Sequence, residues 1–185
     1  MTDTEYTVDD DEVSFEVDED EGDEIIDFEN LLPPDGAWEA VIKDVSYRNA
    51  VREADGVRVL GLNVRVILVD PGGEFDGTLL SNYIWLGNDK FMPSGRAQMK
   101  VLCNAVGLPC EGQVNMADYG KTRQTIGKKE ETVLSAFSGL PCGVFTKIGD
   151  NTYNGQTTEQ CKPVAFITLD RLAQIRDHDL GEEQF

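Results

Sequence analysis

Apolar positions recur along this chain at two spacings. Val57–Val69 carries Leu60, Leu62, Val64, Val66 and Leu68 at period two, with Gly61, Asn63 and Arg65 on the other side. That alternation predicts a strand with one buried face. The glycine in its middle predicts a bulge or sharp bend. Ala37–Tyr47 (AWEAVIKDVSY) is rich in β-formers and has no breaker, which predicts a strand before it. Thr78–Leu86 (TLLSNYIWL) predicts a third, with Ser81, Tyr83 and Trp85 on one face and Asn82, Ile84 and Leu86 on the other. The period then becomes helical. Ala97, Val101, Leu102 and Ala105 form a stripe between Ser94, a good N-cap, and Gly107, a good stop, so the spacing predicts a helix over 95–106.

Residues 111–132 read as a long loop, a feature that in a compact domain is usually functional or mobile. Val133–Phe137 predicts a helical turn. Pro141–Ile148 predicts a fourth strand, Gly149-Asp150-Asn151 a turn, and Asn154–Thr168 a fifth strand whose regularity Pro163 limits. Asp55-Gly56 and Pro71-Gly72-Gly73 punctuate the earlier strands as turns. Leu169, Leu172, Ala173 and Arg176 fall at helical spacing and predict a short closing helix. The expected fold is mainly β, in the order β-β-β-α-β-β. A helix between strands 3 and 4 of a five-stranded Greek-key barrel is the layout of the OB-fold, which binds oligonucleotides on its strand 2–3 face and nearby loops.

Charge divides the 185 residues into three parts. Residues 1–30 hold 15 acidic and no basic side chains, and residues 177–185 hold 4 acidic and none basic. Residues 31–176 balance 16 acidic against 16 basic, so the chain's net charge of -19 belongs to its ends. The expected organisation is an acidic, disordered tail over 1–31, a domain over 32–176 and an acidic tip over 177–185 that ends in Phe185. Within the tail, Val13, Phe15 and Val17 alternate with acids, and Ile25, Ile26 and Phe28 follow. Acid–apolar alternation fits a segment that docks on a basic, apolar partner, and fits equally a solvated, solubilising tail. Pro33-Pro34-Asp35-Gly36 marks where the folded body begins.

Several kinds of chemistry find no support. No stretch of roughly 18 apolar residues exists to span a membrane. The acidic N-terminus is unlike a signal peptide, so a cytoplasmic protein is expected. Cys103, Cys110, Cys142 and Cys161 form no C-x-x-C pair, and the one histidine, His178, lies near the C-terminus. Zinc sites need closely spaced Cys/His pairs, so reduced thiols and no metal or other cofactor are expected. There is no Gly-rich phosphate loop, G-x-S-x-G or H-E-x-x-H. Glu39 and Asp44 are expected on opposite faces of the first strand, a poor acid/base pair. The expectation is a protein that is not an enzyme.

Binding a single nucleic-acid strand takes cations along a groove and aromatic rings on which bases stack. Candidates fall near each edge an OB-fold would use. Tyr47, Arg48, Arg52 and Arg58 flank the first loop, and Arg65 lies on the outward face of strand two. Tyr83 and Trp85 lie on strand three, with Lys90 and Phe91 just after it. Lys121, Arg123, Lys128 and Lys129 cluster in the 111–132 stretch, and Lys147 and Tyr153 flank the last loop. Aromatic residues dominate cores, so a Tyr-x-Trp pair on a strand is more often barrel interior than stacking surface, and both readings stand for Tyr83 and Trp85.

Five motifs carry a family resemblance. They are Leu32-Pro33-Pro34-Asp35-Gly36-Ala37-Trp38-Glu39-Ala40-Val41-Ile42, Leu60-Gly61-Leu62-Asn63-Val64, Phe75-Asp76-Gly77-Thr78, Leu102-Cys103-Asn104-Ala105-Val106-Gly107 and Leu140-Pro141-Cys142-Gly143-Val144. Together, over about residues 32–166, they resemble a family of bacteriophage single-stranded-DNA-binding proteins with an OB-fold, found in replication and recombination gene clusters. The resemblance implies non-catalytic binding of single-stranded DNA, in the host cytoplasm, with little sequence preference. Phe185 is similar to the acidic, aromatic-ended C-termini by which single-strand-binding proteins recruit polymerases and helicases. Here the tip is shorter, and the heavy acidic block stands at the other end.

The acidic segments, through Phe15, Ile25, Ile26, Phe28 or Phe185, are the expected contacts for replication, recombination or transcription proteins. An oligomer is compatible with this arrangement. An alternative class is an interaction module or DNA mimic, whose acidic N-terminus occupies a basic groove on a nucleic-acid enzyme. If instead the N-terminus competes with DNA for the domain's own cations, deleting residues 2–30 raises single-strand affinity and alters its salt dependence. Unchanged affinity and an unchanged salt slope in that deletion would sink the competition idea.

Overall fold

The period-two strand does bury one face. In the computed structural model, which describes residues 32–51, 58–86, 92–112, 114–126, 129–153 and 155–182, Leu62, Val64 and Val66 are fully buried and Leu68 nearly so. Each such side chain withdrawn from water contributes roughly 1.5–3 kcal/mol. This strand, β2 (Arg58–Val69), pairs antiparallel with β1 (Gly36–Val51) on one side and β3 (Leu79–Leu86) on the other. The turn between β2 and β3 has two glycines at positive φ, Gly72 of Pro71-Gly72-Gly73 and Gly77 just before β3.

The architecture is mainly β. Among the described residues, seven strands form one antiparallel sheet, accompanied by two helices. The remaining elements are α1 (Met92–Val106), β4 (Lys121–Ile126), β5 (Lys129–Leu134), β6 (Pro141–Tyr153), β7 (Gln156–Ile167) and α2 (Leu169–Glu182). The expected count of five strands is thus exceeded by a hairpin, β4–β5, in the stretch read as a loop. Its sequences, KTRQTI and KEETVL, lack an apolar row at period two until Val133, so nothing in the pattern signalled them. The helical turn expected at Val133–Phe137 reduces to a single 3-10 turn over Ser135–Phe137.

β1 organises the sheet. It pairs with β2 along nearly its whole length. Its other edge is divided: Gly36–Val41 pairs with β6, while Ser46 and Tyr47 pair with β5. A bulge at Lys43 separates the two halves, since Ile42 faces Val66 and Asp44 already faces Arg65. The backbone between the partners is satisfied by the turn before β6. Ile42 N–H donates to Leu140 O (2.9 Å), Gly139 N–H donates to Ile42 O (2.8 Å), and the Ser138 hydroxyl donates to Lys43 O (3.0 Å). The start of β1 is tied to β6 as well. Ile148 N–H donates to Asp35 Oδ1 (2.6 Å), and the Thr146 hydroxyl donates to Pro34 O (2.9 Å).

The bulge overturns one expectation. It inserts an odd residue between Glu39 and Asp44, so the two fall on the same face of β1 rather than opposite faces. At the far end, the expected turn at Gly149-Asp150-Asn151 is strand, because β6 continues to Tyr153 and turns at Gly155 (φ 77°). Beside Pro163 the β6–β7 ladder slips by one residue, leaving Val164 out of register and 51% exposed. β7 and β3 approach without a ladder between them. Asn82 Nδ2 bridges the gap by donating to Pro163 O (2.8 Å).

Helix α1 begins at Met92, so Ser94 lies inside it and is not its cap. It stops where expected, with Gly107 at φ 75° and Leu108 N–H donating to Cys103 O (2.9 Å). Its buried stripe is Gly95, Met99, Leu102, Cys103 and Ala105. The expected stripe was partly misplaced: Ala97 is exposed and Val101 is 44% exposed. The reason is tertiary. A Cβ on Gly95 would stand 2.0 Å from the Trp85 carbonyl oxygen, so the helix is rotated to press its glycine on the β3 backbone. The closing helix α2 packs through Leu172 over Gly143 of β6 and extends to Glu182, so residues 177–182 are helix and not a separate tip.

Gly95→Ala should destabilise the domain by about 1–3 kcal/mol, despite alanine's better helix propensity. Urea unfolding measures this, and unchanged or raised stability would show that α1 does not bear on β3 at this point.

Candidate functional site

Strand pairing converts the outward residues of β1, β2 and β3 into three rows. The first runs Gly61–Trp85, with the Arg48 backbone in register beside Gly61, the second Ser46–Asn63–Tyr83, and the third Asp44–Arg65–Ser81. All three lie on the face opposite the core residues Val45, Leu62, Val64 and Ile84. The open choice for the Tyr-x-Trp pair is therefore decided. Tyr83 and Trp85 are half-buried on the outward face, and their rings stack at 5.4 Å between centroids and 16° between planes.

Gly61 explains how the rings lie. It causes no bulge, since both ladders of β2 run through it without a shift. A Cβ there would stand 3.1 Å from Trp85 Cζ3 and 3.5 Å from Tyr83 Cδ1. The glycine thus leaves room for the indole and phenol to rest across the β2 backbone. Gly95 presses on the backbone of the same tryptophan from α1. Trp85 is held between two glycines, one at its ring and one at its carbonyl.

The polar groups of this face are largely committed to each other. Arg65 donates to both carboxylate oxygens of Asp44, through Nε at 2.7 Å and Nη2 at 2.6 Å. The side chains are only 19% and 13% exposed, so the pair is a nearly buried fork. The Ser46 hydroxyl donates to a carboxylate oxygen of Glu131 on β5. In the middle row, Asn63 Oδ1 is buried and accepts no hydrogen bond from the described residues. Such an acceptor typically costs about 1–3 kcal/mol, which favours any ligand donor that could reach it. Sequence reasoning missed Asp44, Ser46 and Glu131 as parts of this face. The Lys43 bulge and the hidden hairpin put them there, and neither has a local signal. Gly61 did stand out, for a different reason.

The other candidates scatter. Tyr47 belongs to the core-side face, because it pairs with Leu62 and packs against the core at its edge. The Lys121 ammonium lies over its ring, 5.6 Å from the centroid. Arg123 follows two residues along β4 and is exposed. Lys147 is exposed on β6, in register with Lys162. Arg48, Arg58, Lys129 and Tyr153 occupy strand positions, and only their backbones are described. Arg52, Lys90, Phe91 and Lys128 lie outside the described residues, as do Phe15, Ile25, Ile26 and Phe28 of the acidic tail and Phe185 of the tip.

The thiols behave as packing groups. Burial pushes Cys103 and Cys142 up to about 12, and Cys161 is also raised by burial. They stay protonated near neutral pH, where a nucleophile or metal ligand would need to be thiolate. Burial likewise raises the Tyr119 phenol, which donates to Pro109 O (2.6 Å). No group of three or more His, Cys, Asp or Glu among the described residues is placed to hold a metal. No described helix is long and apolar enough to cross a membrane. No protein-family model matches the chain, and no curated protein matches its sequence.

Gly61→Ala should lift the indole from β2 and change the near-ultraviolet circular dichroism of the Tyr83–Trp85 stack. An unaltered aromatic spectrum would show that the ring does not depend on the missing Cβ.

Proposed function

We propose that this chain is a non-catalytic single-stranded-DNA-binding protein whose domain is an OB-fold barrel enlarged by the β4–β5 hairpin. The order β1-β2-β3-α1-β6-β7 supports the fold assignment. In it β1 is shared by β2 and β6, and β3 approaches β7 at Asn82–Pro163. The hairpin is then an insertion between the helix and the fourth barrel strand.

The observation that carries the functional proposal is the Tyr83–Trp85 stack, half-exposed on the strand 2–3 face and seated on Gly61. Every base has a π-face, so an aromatic platform binds single strands with little sequence preference. A duplex keeps its bases stacked inside and offers the platform nothing. Arg65 adds little phosphate attraction at this face, because Asp44 already matches its charge. The face therefore favours bases, and salt should weaken it less than a basic groove. On the resemblance to phage proteins, the activity we propose serves replication, recombination or transcription in a host cell's cytoplasm, with the acidic segments as contacts for other proteins of that machinery.

Fluorescence anisotropy with labelled oligo-dT, beside an equal-length duplex, tests the proposal. The single strand should bind and the duplex should bind far more weakly. Trp85→Ala should cost roughly 1–3 kcal/mol of affinity. Absence of single-strand binding, both in the full chain and after deletion of residues 2–30, would overturn the proposal and leave the acidic interaction module in its place.

A further inference from the structure

The candidates for nucleic-acid contact lie on two sides of the sheet, and the two sides differ in charge. In the rows of β1, β2 and β3 the cation whose side chain is described is Arg65, and it is neutralised by Asp44. The core-side face, at the edge of the barrel, carries Tyr47, Lys121 and Arg123. Register brings these three together: Tyr47 pairs with Thr132 of β5, and Thr132 pairs with Arg123 of β4. Lys121, two residues before Arg123, reaches over the tyrosine ring. Both cations are exposed, and neither has a carboxylate partner among the described residues.

We propose that Tyr47, Lys121 and Arg123 form a second nucleotide site, in which one base stacks on Tyr47 and the flanking phosphates meet Lys121 and Arg123. The inference rests on the single-strand-binding proposal and adds a division of labour to it. The outward face takes bases and the inserted hairpin takes phosphates. Tyr47 stands between Ser46 and Arg48, the β1 positions that open the rows to Tyr83 and Trp85. The two aromatic surfaces are therefore back to back at one level of the sheet, where a strand leaving one can reach the other around the barrel edge. In the free protein Lys121 occupies the ring face by cation–π attraction. A base displaces the ammonium from the ring, and the flexible lysine stem delivers it to the adjoining phosphate.

Salt dependence separates the two sites, since each phosphate contact on a single strand contributes about 0.7 to the log–log slope. The double variant Lys121→Gln/Arg123→Gln should lower the slope for oligo-dT by about 1.4. Between 50 and 200 mM salt that removes roughly a sevenfold change in affinity. Trp85→Ala should weaken binding at every salt concentration and leave the slope as it was. Tyr47→Leu, which keeps an apolar contact with the core, should weaken binding several-fold, and Tyr47→Phe should restore it. A wild-type slope in the double variant would overturn the phosphate assignment. Wild-type affinity in Tyr47→Leu would overturn the stacking assignment. Failure of the wild-type chain to bind oligo-dT at any salt would remove the underlying proposal itself, a result distinct from either.

Discussion

Everything in this domain hangs on β1 having two partners along one edge. A strand edge offers a fixed row of N–H and C=O groups, and here one row is divided between β6 and β5. The division needs a break, and the bulge at Lys43 supplies it. Three backbone groups at the break, the N–H and C=O of Ile42 and the C=O of Lys43, are taken up by the turn around Ser138–Leu140. Because side chains alternate with period two, the extra residue also resets which of them face outward. Asp44 and Ser46 point to the outward face as a result, and Val45 and Tyr47 to the core side. The candidate site is a consequence of that one inserted residue.

The second constraint is the close approach of backbone to ring at Trp85. Two glycines allow it, Gly61 at the indole and Gly95 at the carbonyl. Glycine is unfavourable in a strand or helix interior by roughly 0.5–1 kcal/mol relative to alanine. Placing one in each of two neighbouring elements, both aimed at the same residue, is explained by the contact they permit. For the single-strand binding we propose, a ring fixed on a sheet would lose little freedom when a base stacked on it, so less of the stacking energy would be offset by ordering. The rigidity of the platform and the packing of α1 are thus one arrangement.

Electrostatics then sort the surface. Arg65 and Asp44 make a nearly buried fork, whose value lies in geometry as much as charge. It locks β1 to β2 beside the aromatic pair and neutralises the charge of Arg65 there. The β4–β5 hairpin carries the exposed Lys121 and Arg123; it has no large apolar side to bury and can carry them at little desolvation cost. In the function we propose, the aromatic face and the cationic hairpin would meet the π-surface and the phosphate backbone of one ligand.

The alternation of β2, the paired rows of β3, the stop of α1 at Gly107 and the β-rich character were all legible in the residues, because they follow from local periodicity and from glycine's access to positive φ. The neutral charge of residues 31–176 was equally plain. The hairpin was not, because both of its strands are polar and are specified by pairing with β1 rather than by a hydrophobic row of their own. Nor were the rotation of α1, the side on which Asp44 lies, or the separation of Tyr47 from Tyr83 and Trp85. Each depends on a contact between residues far apart in the chain: Gly95 on Trp85, Asp44 on Arg65, Tyr47 beside Lys121. Local pattern determined the strands that carry an apolar row, the presence of α1 and where it stops. Only the tertiary structure decided which polar side chains meet, because that is set by register and by a single bulge, and neither leaves a periodic trace in the sequence.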